Sequence, residues 1–178
     1  MKFLSQRVSV SEAKESLSIV ISPDKEQLKQ SLLFTGIVFW TMSGIIVLIQ
    51  LFSNYSREEK MFMFVWILFW AYFEYITVYA WLWKAYGYEK LLLKDGQLYY
   101  ERNIKGRGKK EVLNKNVIKD IKITEDTDSS IISNLNKSYW VVGGKRIILY
   151  YNSGKLKLGM KLNNHESEAI VRLITKKL

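Results

Sequence analysis

The pattern of apolar and polar positions divides the chain into three parts. Residues 31–52 carry no charged side chain, and residues 61–83 carry one, Glu74. Each run is apolar all round rather than on one face, which separates it from the amphipathic helix of a soluble protein. A helix of 22 residues rises about 33 Å, enough to cross a hydrocarbon layer of roughly 30 Å. Only residues 53–60 (SNYSREEK) separate the runs, so the pattern predicts an antiparallel transmembrane hairpin over 31–84. No apolar h-region precedes residue 30, so neither run is expected to be a cleaved leader.

Before the hairpin lies an arm, residues 1–30. At 17–22 (LSIVIS) apolar and polar residues alternate with β-branched types, and Pro23 ends the run. That alternation predicts one strand. It admits two pairings: with a sheet of the same chain, or with another subunit by strand addition.

After the hairpin, residues 85–178 read as short strands with turn punctuation, then a helix. Residues 88–94 lead into Asp95-Gly96, a strong hairpin turn, and 97–103 return. Residues 104–110 (IKGRGKK) read as a glycine-rich basic loop before a brief strand at 111–114. A strand with a bulge is expected around 117–123, a polar loop over 124–136, and two strands, 138–142 and 146–151, about Gly143-Gly144. Residues 155–160 close the series. Asn163 followed by Glu166 is a capping-box signature, and Ala169, Ile170, Leu173 and Ile174 recur at helical spacing behind it. The expected domain has about seven antiparallel strands capped by a C-terminal helix.

Composition sharpens this division. The 178 residues include 27 Lys plus Arg, 17 Asp plus Glu, one His and no Cys. The absence of Cys excludes a disulfide scaffold and Cys-ligated metal. Residues 84–178 hold 20 basic and 10 acidic residues, and so carry a net charge matching the +10 of the whole chain. Near the apolar runs, Lys25, Lys29, Lys84, Lys90 and Lys94 flank the hairpin, against Arg57 and Lys60 in its connection. By the positive-inside rule both termini are expected to be cytoplasmic, in a multi-pass protein of the inner membrane.

Seven strands capped by a helix is the pleckstrin-homology-like (PH-like) arrangement. The chain resembles the bacterial PH-like membrane proteins, in which a two-helix hairpin precedes a cytoplasmic PH-like domain. The resemblance rests on 17–23 (LSIVISP), the aromatic-rich hairpin and 88–103. It rests also on 111–123 (EVLNKNVIKDIKI) and the closing KLKLGMKLNNHESEAIVRLI. The polar 124–136 insertion and the charged segment before Leu17 depart from familiar forms. The resemblance implies a membrane α+β fold and a membrane-tethered binding or scaffold module.

Candidate chemistry is sparse. Glu74 lies near mid-span, where a carboxylate is costly and marks a functional hypothesis. Antiparallel geometry sets it near Phe39 to Ser43, within reach of Thr41 or Ser43. Gly36, Ser43 and Gln50 fall on one face at seven-residue spacing, and Gly36 with Gly44 would allow close helix approach. Thr41, Ser43, Gln50 and Glu74 are therefore the expected intramembrane polar contacts. They serve either the hairpin itself, or a partner, or an ion path. Trp66 and Trp70, mid-helix, suit a lipid-facing surface or a packing surface for a partner. Lys105, Arg107, Lys109 and Lys110 are a candidate site for an anionic lipid headgroup, with a solvated loop as the alternative. His165 is expected at the surface of a helix cap. No catalytic, metal or cofactor constellation converges, and no nucleic-acid motif accompanies the charge. The expected function is a non-enzymatic accessory or scaffold subunit that binds another membrane protein or itself. Anionic-lipid binding and a transport or channel assembly using Glu74 are the alternatives.

Overall fold

The computed structural model describes residues 2–124 and 142–178. It is an α+β fold in two compact units. Residues 25–85 form one, and 1–24 with 86–178 form the other.

The helical unit holds α1 (Gln27–Gln50) and α2 (Arg57–Tyr86), both longer than the charge-free runs. Uncharged sequence marks where lipid could lie, whereas a helix continues through charged residues until its hydrogen bonds stop. Ser56 and Glu59 form a reciprocal cap at the start of α2: the Ser56 N–H donates to Glu59 Oε2 at 2.8 Å and the Glu59 N–H to Ser56 Oγ at 3.3 Å. Both helices are long and apolar enough to cross a membrane.

The β unit begins in the arm. In place of the single strand expected at 17–22, the arm contributes β1 (Lys2–Phe3), β2 (Val8–Glu12) and β3 (Ser16–Ile21). The charged stretch before Leu17 masks a short alternation in which Val8 and Val10 point inward and are buried. After the hairpin come β4 (Gly87–Lys94), β5 (Gln97–Ile104) and β6 (Arg107–Asn114), completing an antiparallel sheet in the order β1-β2-β3-β4-β5-β6. The pairing β3·β4 sets Leu17 opposite Leu93 and Ile21 opposite Glu89. Thus the arm strand pairs within the chain, and the hairpin is inserted between two neighbouring strands of one sheet.

A second antiparallel sheet follows, β7-β8-β9, from β7 (Ile118–Ile123), β8 (Lys145–Tyr151) and β9 (Gly154–Met160). Its register shifts between Ile118 and Asp120, a bulge in β7. The described residues therefore hold nine strands, three in the arm where one was expected and six after the hairpin. The polar stretch 125–136, with Ile131 and Ile132, and the strand expected to begin at 138 lie outside the described residues, up to 141.

The basic loop expected over 104–110 is two residues long. Lys105 and Gly106 both take positive φ (48° and 81°), the signature of a tight two-residue hairpin, and 107–110 belong to β6. Propensity disfavours glycine and lysine in strands. Here the register set by β5 prevails, and Gly108 is needed: a Cβ there would lie 1.8 Å from the Arg102 carbonyl oxygen.

Both sheets bury one face in a common core with the final helix, α3 (Asn164–Lys177). Leu17, Ile19 and Leu98 meet Ile147, Leu149 and Leu158, with Ile170 and Ile174 from α3. The capping box is present: the Glu166 N–H donates to Asn163 Oδ1 at 2.7 Å, and the Asn163 N–H to Glu166 Oε2 at 3.0 Å. The same carboxylate ties down the arm. Ser5 Oγ donates to Glu166 Oε1 at 2.7 Å, and Arg7 forms an ion pair with it at 3.3 Å. Burial pushes the Glu166 carboxyl up, but the Asn163 N–H, Ser5 and Arg7 together outweigh it and hold it below the usual glutamate range.

Two outcomes follow. Asn163→Ala removes one side of the box and should cost about 1 kcal/mol of stability, measured by chemical unfolding of the β unit's signal in the full chain. Because the folded-state pKa of Glu166 is depressed, its contribution is full above the ordinary value of about 4.3 and is lost as pH falls through the lower folded-state value. Thermal unfolding across that acid range should show a slope that Arg7→Gln flattens.

Candidate functional site

Within the hairpin, the inward positions of α1 are Leu33, Ile37, Trp40, Gly44 and Val47, at alternating four- and three-residue spacing. This is the seam of an antiparallel helix pair. Gly36, expected at close approach, is exposed instead. The seven-residue spacing of Gly36, Ser43 and Gln50 is real, but the bulk of Trp40 and Trp70 selects the neighbouring stripe.

Gly44 supplies the space. Trp70 lies across it, so that a Cβ at Gly44 would come within 2.0 Å of Trp70 Cε2. The indole then reaches over α1, and Trp70 Nε1 donates to the Trp40 carbonyl at 2.9 Å. Trp40 Nε1 donates back to the Trp70 carbonyl at 3.5 Å, a longer bond. The Trp40 and Trp66 rings sit 6.1 Å apart, tilted by 42°. Trp70 and Trp66 are thus part of the hairpin's own packing, and the indole N–H groups of Trp40 and Trp70 each find a carbonyl acceptor in an apolar setting.

One turn further along α2, Thr41 Oγ1 lies 2.6 Å from Glu74 Oε1 and 2.8 Å from the Ile37 carbonyl. A hydroxyl has one proton, so Thr41 donates to only one of these acceptors at a time. Glu74 Oε2 is buried and has no hydrogen-bond partner among the described residues. Ser43 and Gln50 are not brought to Glu74. Ser43 donates back to the Trp40 carbonyl at 2.7 Å, and Gln50 accepts from Tyr55 Oη at 3.1 Å near the end of α1. The polar centre is therefore a pair, Thr41 and Glu74, and not a path of four residues.

The four cations expected to act together are divided by the strand. Lys109 stands opposite Arg102 and pairs with Glu111 at 2.5 Å. Lys110 stands opposite Glu101, on the other face, and pairs with it at 3.6 Å. Lys105 lies in the turn, 3.8 Å from the centroid of the Tyr86 ring. Alternation along a strand sends Arg107 and Lys109 one way and Lys110 the other, so the four cannot enclose one headgroup.

One buried cluster was not anticipated. Glu89 is 1% exposed on the core face of β4. Its Oε2 accepts from the Gly159 N–H at 2.7 Å and the Met160 N–H at 3.3 Å, and its Oε1 from Tyr100 Oη at 3.1 Å. Lys145 Nζ lies 3.5 Å from Tyr100 Oη. Burial first, then the Glu89 charge, push the Tyr100 hydroxyl up. The clue lay in the alternation of 87–93, which sets Glu89 on the face of Leu91 and Leu93.

Among the described residues, no group of His, Asp and Glu could hold a metal ion. His165 lies exposed at the start of α3. Glu125, Asp126 and Asp128 lie outside the described residues. Comparison of the chain with protein-family models, with curated proteins and with solved structures finds no match in any of the three. Fold and site define a class nonetheless: an α+β protein with a pair of candidate membrane-spanning helices inserted into its β unit.

Gly44→Ala should displace the Trp70 indole and destabilise the hairpin by about 1–3 kcal/mol, the usual cost of overpacking. Trp70→Phe should relieve that clash, so the double variant should cost less than the sum. Unfolding in detergent micelles, followed by helix circular dichroism, measures the coupling.

Proposed function

We propose that this chain is a multi-pass membrane protein in which the α1–α2 hairpin anchors a PH-like β unit, and that it acts without catalysis as an accessory or scaffold subunit. The observation that carries the reading is the outward surface of the hairpin. Phe39, Met42, Ile46 and Ile49 on α1, with Phe62, Val65, Phe69 and Tyr72 on α2, are all exposed. An apolar surface of that extent is covered by lipid or by another membrane segment. The aromatic residues of α2 form a ridge, with Phe69 and Phe73 rings 4.5 Å apart and Tyr72 edge-on to Phe73 at 5.4 Å. Such a ridge suits packing against a transmembrane helix of a partner, better than contact with lipid alone.

The pairing β3·β4 supports the topology. Strands before and after the hairpin share one sheet, so two spans must return the chain to the side it left. The excess of Lys and Arg beyond the hairpin favours the cytoplasmic side of a bacterial inner membrane for both termini. Two antiparallel sheets sharing a core with a C-terminal helix support the PH-like reading.

Glu74 supports an internal role more than a transport path. Its one bonded oxygen is engaged by Thr41 of the same hairpin, and a single carboxylate makes an incomplete relay.

Extraction of the tagged chain in mild detergent, with native mass measurement, tests the proposal. A second membrane protein at fixed stoichiometry is expected, released by Phe69→Ala with Phe73→Ala and retained by Lys110→Gln. A clean monomer under conditions that preserve known membrane complexes would overturn the scaffold reading. A homo-oligomer released by the same pair of changes would make the chain its own partner.

A further inference from the structure

The six-stranded sheet has two ends, and the chain leaves for the hairpin and returns from it at the same one. β3 stops at Ile21, and β4 begins at Gly87, directly after Tyr86, the last residue of α2. Gly87 pairs with Ile104, so the two-residue turn Lys105-Gly106 between β5 and β6 lies at that end as well. At the opposite end Lys94 pairs with Gln97 across the turn Asp95-Gly96. The eight residues of β4, at about 3.3 Å each, set the two turns about 25 Å apart.

We propose that the end of the β unit from which the hairpin departs is seated on anionic headgroups of the adjoining leaflet, with Lys105 and Arg107 as its contacting cations and Tyr86 as its interfacial ring. The proposal rests on the reading of α1 and α2 as membrane spans.

Three observations support it. First, the two turns are alike in backbone and opposite in charge. Asp95 and Gly96 take φ of 52° and 72°, and Lys105 and Gly106 take 48° and 81°. The first position of such a turn favours Asn, Asp or Gly, which tolerate positive φ. Asp95 follows that preference and Lys105 departs from it. A departure from local preference calls for a compensating gain. At position 105 the gain is a cation beside the root of the hairpin. Second, that cation is held in place. Lys105 Nζ lies 3.8 Å from the centroid of the Tyr86 ring, at the junction of α2 and β4. The Gly106 N–H donates to Asn103 Oδ1 at 2.7 Å and fixes the turn beneath it. Tyr86 is 44% exposed, and a phenol at the end of a span, apolar on its faces and polar at its tip, suits the headgroup layer. Third, no acid stands beside these cations in the turn. Residues 103–108 (NIKGRG) hold no Asp or Glu. Lys105 and Arg107 are exposed, and neither has an ion pair with a described residue. Lys109 and Lys110 already hold Glu111 and Glu101, so the contact narrows to two of the four basic residues in 105–110. An anionic leaflet supplies the counter-charge, and each cation near its surface shifts the contact equilibrium about fivefold.

Lysine footprinting tests this on the full-length chain. The protein is placed in nanodiscs of phosphatidylcholine, alone or mixed with phosphatidylglycerol, and treated with an acetylating succinimide ester. Acetylation rates are read by mass spectrometry. Lys94, exposed at the other end of β4, is the internal reference. Lys105 should react about fivefold more slowly in the anionic discs, with Lys94 unchanged. About 1 M salt should abolish the difference, since charge then acts over only about 3 Å. Arg107→Gln, an exposed change at the start of an edge strand, should narrow it. Equal Lys105 rates in the two discs, with the chain incorporated in both, would overturn the proposal and leave the membrane reading standing. Equal slowing of Lys94 would overturn it too, as general attraction of the basic unit. A chain that stays outside the discs would remove the membrane reading and this proposal with it.

Discussion

The β3·β4 ladder is the constraint on which the rest of the structure depends. It joins residues 16–21 to residues 89–94, across the whole of the intervening hairpin. Without it, the arm would be a loose leader and the C-terminal sheet would expose the β4 edge, with Leu91 and Leu93 uncovered on one side. With it, Leu17 and Ile19 enter the core beside residues contributed more than a hundred positions later, Ile147, Leu149, Ile170 and Ile174. The ladder also orders events. A contact so distant in sequence carries a loop-closure cost that only later burial offsets, so it forms late unless the intervening chain is already compact. A hairpin whose helices are already paired shortens that closure by bringing its own two ends to one side.

Polar groups inside the protein are handled by the same device in different settings: a carboxylate is given fixed donors that also join distant segments. Glu89 takes two backbone N–H groups from β9 and a hydroxyl from β5, and so ties one sheet to the other. Glu166 caps its own helix and holds Ser5 and Arg7 of the arm. In both cases an unpaired buried charge would be heavily destabilising, and the donors turn that cost into a specific registration of elements. Glu74 differs. It has Thr41 for one oxygen and no partner among the described residues for the other. The helix pair has fewer donors to offer, because every backbone N–H is spent along its own helix.

The parts of this architecture legible in the sequence were those with a strong, uninterrupted period. Two long apolar runs with a short connection define a hairpin almost regardless of detail. Asp95-Gly96 and the Asn163 to Glu166 spacing mark a turn and a cap because few residues meet those geometries. What was hidden had its local signal opposed by tertiary context. Residues 107–110 hold a glycine among basic residues and look like a loop, with a strand expected only from 111, yet β6 pairs along its whole length with β5. Val8–Glu12 is too short and too close to charge to stand out, and becomes a strand because β3 offers it an edge. In the hairpin, spacing alone could place Glu74 near Thr41. It could not choose between adjacent stripes of α1, since that choice rests on where two indoles fit, and Gly44 rather than Gly36 leaves the room.

The basic character of residues 84–178 illustrates why placement matters more than count. A diffuse excess of Lys and Arg attracts any anionic surface, but only across about 8 Å at physiological ionic strength, and without choosing among anions. The strand alternation of β5 and β6 breaks such an excess into two faces. On one, Glu101 takes up Lys110 at the surface. On the other, Lys109 engages Glu111. The core beneath, Leu98, Ile147, Leu149 and Leu158, fixes the two sheets regardless of what their rims carry, so each ion pair is held where strand alternation puts it.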